Sequence, residues 1–186
     1  MSLLDGVLVV LVCVAVLWGT YRQLLGTLLS LAGFYFALLV AGMLTSVLTG
    51  MYGVGTDIVR SLWGQAASIR LVEVGLFAIL VLGVFVVLEL VNRFVFPTPS
   101  LPKLGIWDGI FGGILGLVLG IALITVLSNV VHQAVLTSWQ PINTWSMVRR
   151  AYETSFLAPL LKPVLQVLRE FLFPFAFMGY PRALLP

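Results

Sequence analysis

Four long apolar runs dominate the chain, at roughly 3–21, 24–49, 71–96 and 106–135. Each is long enough to cross a bilayer, which takes about 20 residues as a helix. Only Tyr21-Arg22-Gln23 separates the first two, so they are expected to form a helical hairpin. Between the second and third runs, Thr56 or Asp57 can cap a short helix. Ile58, Val59, Leu62, Trp63, Ala66 and Ile69 then share one side, with Asp57, Arg60, Ser61, Gln65 and Ser68 elsewhere. That pattern predicts an amphipathic helix over about 56–69 lying at the interface, with a loop packed on the bundle as the alternative. Between the third and fourth runs, Pro97, Pro99 and Pro102 forbid a helix and predict a stiff connector.

From about residue 138 the pattern changes. Pro141, Pro159, Pro163, Pro174, Pro181 and Pro186 punctuate the tail. Within it Val164, Leu165, Leu168, Phe171 and Leu172 form an apolar face opposite Gln166, Arg169 and Glu170. About eleven residues cannot span, so an interfacial helix is predicted, with Phe173, Phe175, Phe177 and Tyr180 at headgroup depth. A re-entrant hairpin over Phe156–Phe177 is the alternative. The expected fold class is therefore all-α: a polytopic membrane protein with four transmembrane helices in residues 1–137 and an amphipathic tail in 138–186.

Small residues mark two of the runs. Gly105, Gly109, Gly112, Gly116 and Gly120 recur at steps of four, three, four and four, which places them on one helical face. Gly26, Ser30, Gly33, Ala37 and Ala41 repeat the same steps in the second run. In water such glycines weaken a helix, but in lipid a face without side chains lets another helix approach closely. The matched stripes predict that the second and fourth helices cross backbone to backbone; a homodimer seam is the alternative.

Composition fixes the class. The chain is 61% hydrophobic and 9% charged, against about 25% charged in soluble domains. Its mean hydropathy is +1.14. The net charge of +3 comes from scattered basic residues with no aromatic-interleaved patch, so no nucleic-acid partner is expected. The N-terminus has no positive region or clean cleavage site, so the first helix is expected to be retained. With the N-terminus outside, the short loops place Arg22, Arg93 and Lys103 inside, a weak lean to N-out and C-out. Arg149, Arg150, Lys162, Arg169 and Arg182 in the tail argue the reverse.

Candidate chemistry is sparse. Cys13 is the single cysteine, so no intrachain disulfide can form, and no metal-ligand spacing or cofactor motif occurs. No nucleophile elbow or HExxH is present. Gly53-Val54-Gly55-Thr56-Asp57 carries one residue too many for the GxGD of intramembrane aspartyl proteases. No enzyme is expected. The polar candidates are Asp5 and Asp108 in first helical turns, Glu89, Arg93, Asn129 and His132. Glu89 lies four residues before Arg93, the favoured order for an intrahelical pair, and doubles as a candidate proton or cation site. Thr125, Asn129 and His132, with Ser128 adjacent, form a polar stripe late in the fourth run. Leu4-Asp5-Gly6-Val7 and Trp107-Asp108-Gly109-Ile110 open two helices alike, either by coincidence or as a trace of internal repetition.

Several of these residues stand in a recognisable order. Asp5 is followed by Gly19, Arg22 and Leu25-Gly26, then Leu28-Leu29-Ser30-Leu31, then Arg93 ending the third helix. The fourth helix opens Trp107-Asp108-Gly109-Ile110-Phe111-Gly112-Gly113-Ile114-Leu115-Gly116. Over about residues 3–135 this resembles the colicin V production protein family of bacterial inner-membrane proteins, with an echo of the family tail in Ser155-Phe156-Leu157-Ala158-Pro159. The chain departs from the family at Thr20, Gln23 and Gly109, where a glycine, a basic residue and an arginine are usual. The resemblance implies a role in colicin V production or export, or in envelope maintenance, and brings no catalytic residues. The expected partners are the bilayer and either other membrane proteins or further copies of the chain. A small channel or transporter built by oligomerisation is the alternative reading.

Overall fold

In the computed structural model, helices occupy the apolar runs because in lipid every backbone N–H and C=O must be satisfied within its own segment. The structure describes residues 2–50, 57, 69–95, 104–136, 143–172 and 184, and no strand occurs among them. The elements are α1 (Leu3–Gly50), α2 (Ile69–Val95), α3 (Ile106–Val135), α4 (Asn143–Glu153), the short α5 (Leu157–Leu160) and α6 (Lys162–Leu172). Three of them are long and apolar enough to cross a membrane: α1 over Leu3–Thr49, α2 over Leu71–Val95 and α3 over Ile106–Val135. The amphipathic segment expected over 56–69 lies outside the described residues, apart from Asp57 and the first residue of α2. The proline connector and the aromatic residues after 172 also lie outside them.

As one straight rod α1 would be about 70 Å long, more than twice the hydrocarbon thickness. It breaks at Gln23, whose φ of 62° and ψ of −177° fall in a region that side-chain-bearing residues rarely adopt. Thr27 Oγ1 lies 2.7 Å from the Gln23 carbonyl and 3.1 Å from that of Gly19. Residues eight apart in a continuous helix are separated by about 12 Å, so the chain reverses at Gln23. The two limbs, 3–22 and 24–50, form the hairpin that the three-residue break predicts.

The closest crossing joins the first limb to α3. A Cβ added at Gly116 would lie 2.5 Å from the Ala15 carbonyl oxygen; one at Gly19 would lie 2.8 Å from Gly116 Cα. At Gly112 the obstacle would be the Gln23 backbone, 2.7 Å away, and at Gly120 the Ala15 Cβ, 3.0 Å away. Numbers fall along the limb as they rise along α3, so the pair is antiparallel. This corrects the expected pairing of the second and fourth runs. The close partner of the α3 glycines is the Ala15–Gly19 surface, not the stripe of the second limb. That stripe turns to α2 instead: Ser30 Oγ, 3.1 Å from the Gly26 carbonyl of its own helix, meets Glu89 of α2 at 2.8 Å. Gly33 faces Leu88, and Ala37 and Ala41 are fully buried. Gly26 is also buried. Two stripe glycines contribute less than expected. Gly109 makes only ordinary contact with the Thr20 carbonyl, and Gly105 faces open space at φ 52°. Gly105 therefore serves the entry of the chain into α3, where a positive φ favours glycine.

The main core joins Phe34, Leu38 and Ala41 of the second limb to Val74, Phe77 and Val81 of α2 and to Leu119 and Val126 of α3. Phe34 meets Phe85 edge to face at 5.7 Å. Leu165 and Leu172 of α6 belong to the same cluster, so the tail helix docks its apolar face on the bundle. A second cluster ties Leu8, Ile124 and Leu161 together. Outside this core, Val10, Val14, Leu17, Ile79, Leu82, Val87, Ile114 and Val118 remain exposed, the apolar exterior that lipid requires.

The crossing predicts opposite effects for two glycine substitutions. Gly116→Ala forces the first limb and α3 apart and should destabilise the protein by about 1–3 kcal/mol. Gly83→Ala meets nothing within 4 Å and should be neutral or slightly stabilising, because alanine favours helix by roughly 1 kcal/mol. Thermal unfolding in detergent measures both, and equal midpoints would rule out the close crossing.

Candidate functional site

Polar groups inside apolar helices are costly unless they are paired, so their partners show what each one does. At the hairpin turn Arg22 pairs with Glu89 of α2 and lies over the Trp18 ring, 5.5 Å from its centroid. Glu89 also accepts from Ser30. The expected Glu89–Arg93 pair is not formed: Glu89 points into the bundle, where Arg22 and Ser30 lie, while Arg93 is exposed in the last turn of α2. A pair between helices satisfies two groups that would otherwise face apolar surroundings. An outward cation at a helix C-terminus is favoured by the helix dipole.

Both first-turn aspartates act as caps for other segments. Asp108, 1% exposed, accepts from the Leu24 N–H at 2.9 Å, just past the break, and so caps the second limb. Asp5, equally buried, exchanges bonds with Ser2: its own N–H donates to Ser2 Oγ at 3.1 Å, and its carboxylate accepts from the Ser2 N–H at 3.0 Å. The same carboxylate accepts from Ser155 Oγ at 2.6 Å, Leu157 N at 3.1 Å and Phe156 N at 3.2 Å. Ser155 Oγ in turn accepts from Ala158 N at 3.1 Å, so the start of α5 is fastened to the start of α1. The similar openings of the two helices thus coincide with a similar task.

The remaining polar candidates line a cleft. Thr125, Ser128, Asn129 and His132, the stripe late in α3, form one wall. Opposite stand Tyr152 of α4 and Lys162, Gln166, Arg169 and Glu170 of α6, over a floor of Ala158, Leu161 and Leu165. The space is about 750 Å³. His132 stacks on Tyr152 with centroids 5.0 Å apart and planes at 26°. Burial raises the Tyr152 phenol above its ordinary range, which keeps it a neutral O–H. Along the wall, Thr125 donates to the Ile121 carbonyl.

Asp5 and Asp108 therefore lie at opposite ends of the glycine crossing, Glu89 sits at the hairpin turn, and Asn129 and His132 line the cleft. Sequence reasoning missed Arg22 as the partner of Glu89, Ser155 as the partner of Asp5, and Lys162 and Tyr152 as cleft residues. The Ser2-x-x-Asp5 and Ser155-x-x-Ala158 spacings were the local signals of caps. The contacts across 67 and about 150 residues left no local trace. Among the described residues no three His, Cys, Asp or Glu side chains gather as metal ligands, and Cys13 is free and exposed.

A family model described as colicin V production protein matches residues 4–166, most of the chain. No curated protein and no solved structure matches it.

Asp5→Asn keeps the side-chain volume but turns one acceptor into a donor facing N–H and O–H groups. It should cost about 1–3 kcal/mol and speed amide hydrogen exchange over 155–161, leaving the hairpin turn unchanged. Arg22→Gln strands Glu89 and should cost on the order of 2–3 kcal/mol. That is below the value for a fully enclosed pair, because Glu89 retains 18% exposure. Arg22→Gln/Glu89→Gln should recover most of the loss in a double-mutant cycle; additive losses would contradict the pairing.

Proposed function

The chain belongs to the colicin V production protein family, and on that premise we propose that it is a non-enzymatic, four-span protein of the bacterial inner membrane, accessory to colicin V production or export or to envelope maintenance. The limbs of α1, 3–22 and 24–50, support the count of four, since a 20-residue helix covers about 30 Å. The observation that carries the accessory reading is the engagement of Asp5, Asp108 and Glu89. Asp5 and Asp108 cap other segments, and Glu89 holds Arg22 and Ser30. They tie the fold together. What the protein offers to partners is its apolar exterior, suited to lipid, to other membrane proteins or to further copies of itself, and the cleft beside the tail.

A colicin V-producing strain lacking its own family member tests this reading. Expression of this chain should restore toxin release or envelope tolerance, and the purified protein in proteoliposomes should pass ions no faster than empty vesicles. Absence of rescue, together with ion flux that Glu89→Gln abolishes, would overturn it in favour of a channel.

A further inference from the structure

The cleft between α3 and the tail has the chemistry of a lipid headgroup site. Its depth follows from helix length. The 30 residues of α3 extend about 45 Å, some 15 Å more than the hydrocarbon core. If the apolar part begins near Asp108, it ends near Leu127, so Asn129 and His132 stand at headgroup level. Sequence agrees, since α3 is apolar from Ile114 to Ile124 and polar at Thr125, Ser128, Asn129 and His132.

Charge and shape narrow the ligand. Lys162 and Arg169 lie seven residues apart, two turns along α6, and both face the cleft. Among the described residues of the lining, these two cations face one carboxylate, Glu170, so that lining favours an anion. The volume of about 750 Å³ is that of a small-molecule site, far larger than an isolated inorganic ion needs. The floor is apolar: Ala158, Leu161 and Leu165 give a free phosphate nothing to bind, but they suit a glycerol backbone and the first methylenes of an acyl chain. We propose that this cleft binds an anionic phospholipid, with its phosphodiester between Lys162 and Arg169 and its glycerol end over Leu161 and Leu165. The proposal rests on the membrane reading alone and is independent of any role in toxin production.

Native mass spectrometry of the full chain, released from detergent containing equal phosphatidylglycerol and phosphatidylcholine, tests it. The expected result is one retained phosphatidylglycerol in preference to phosphatidylcholine. Lys162→Gln and Arg169→Gln should each lower that preference about fivefold, the usual effect of one basic residue at an anionic surface. Arg149→Gln, on the exposed outer face of α4 where Arg149 pairs with Glu153, should not change it. Lys162 is exposed, so its variant tests the site even if Arg169→Gln fails to fold. Equal retention of the two lipids, or a preference that Lys162→Gln leaves intact, would overturn the proposal. Displacement of the lipid by millimolar inorganic phosphate would overturn it too, by assigning the cleft to a free anion. Failure to support colicin V release would leave this result unaffected.

Discussion

Backbone contact between the first limb of α1 and α3 places nearly everything else. In lipid there is no hydrophobic drive between helices, so association depends on how closely they pack and on what polar groups they share. Gly19, Gly112 and Gly116 remove the side chains that would keep the two helices apart. Once this crossing is made, the first turn of α3 lies at the hairpin and Ile124, in its second half, lies beside Leu8. The second limb is left free to pack on α2, which brings Ser30 and Arg22 to Glu89.

The two aspartates secure the ends of that crossing. Because the helices are antiparallel, their Asp-Gly openings stand at opposite ends, and each carboxylate meets the unsatisfied N–H groups of another segment. A helix start within a bundle needs such partners, and a carboxylate there also favours the helix dipole. At one end the cap helps to hold the Gln23 break, whose left-handed backbone costs on the order of 1–3 kcal/mol and persists only when its surroundings enforce it. At the other end the cap fastens a tail whose helices are too short to be stable alone. The tail then contributes Leu165 and Leu172 to the core, and with α3 it forms the cleft.

This arrangement separates two kinds of polar residue. Asp5, Asp108, Arg22 and Glu89 face inward and are consumed by folding. Asn129, His132 and Arg169, each with partners of its own, line the cleft together with Lys162. The tail is therefore part of the site itself.

The sequence by itself determined the long apolar helices and the membrane class, because length and apolar content decide both and need no knowledge of neighbours, whereas the short helix Asn143–Glu153 carried no such signal. Tyr21-Arg22-Gln23 announced the hairpin, and the glycine steps announced a close crossing. The family order from Asp5 to Gly116 was also legible, and the match over 4–166 agrees with it. Only the tertiary structure decided partners. A small-residue stripe is equally ready for any other small surface, so nothing in the steps of Gly112, Gly116 and Gly120 distinguished Ala15 and Gly19 from Gly26 and Gly33. Glu89 looked paired with Arg93 because helical spacing is visible along the chain. Arg22, 67 residues away, became its partner only when α2 packed against the hairpin. Periodicity belongs to one helix, whereas a contact belongs to two.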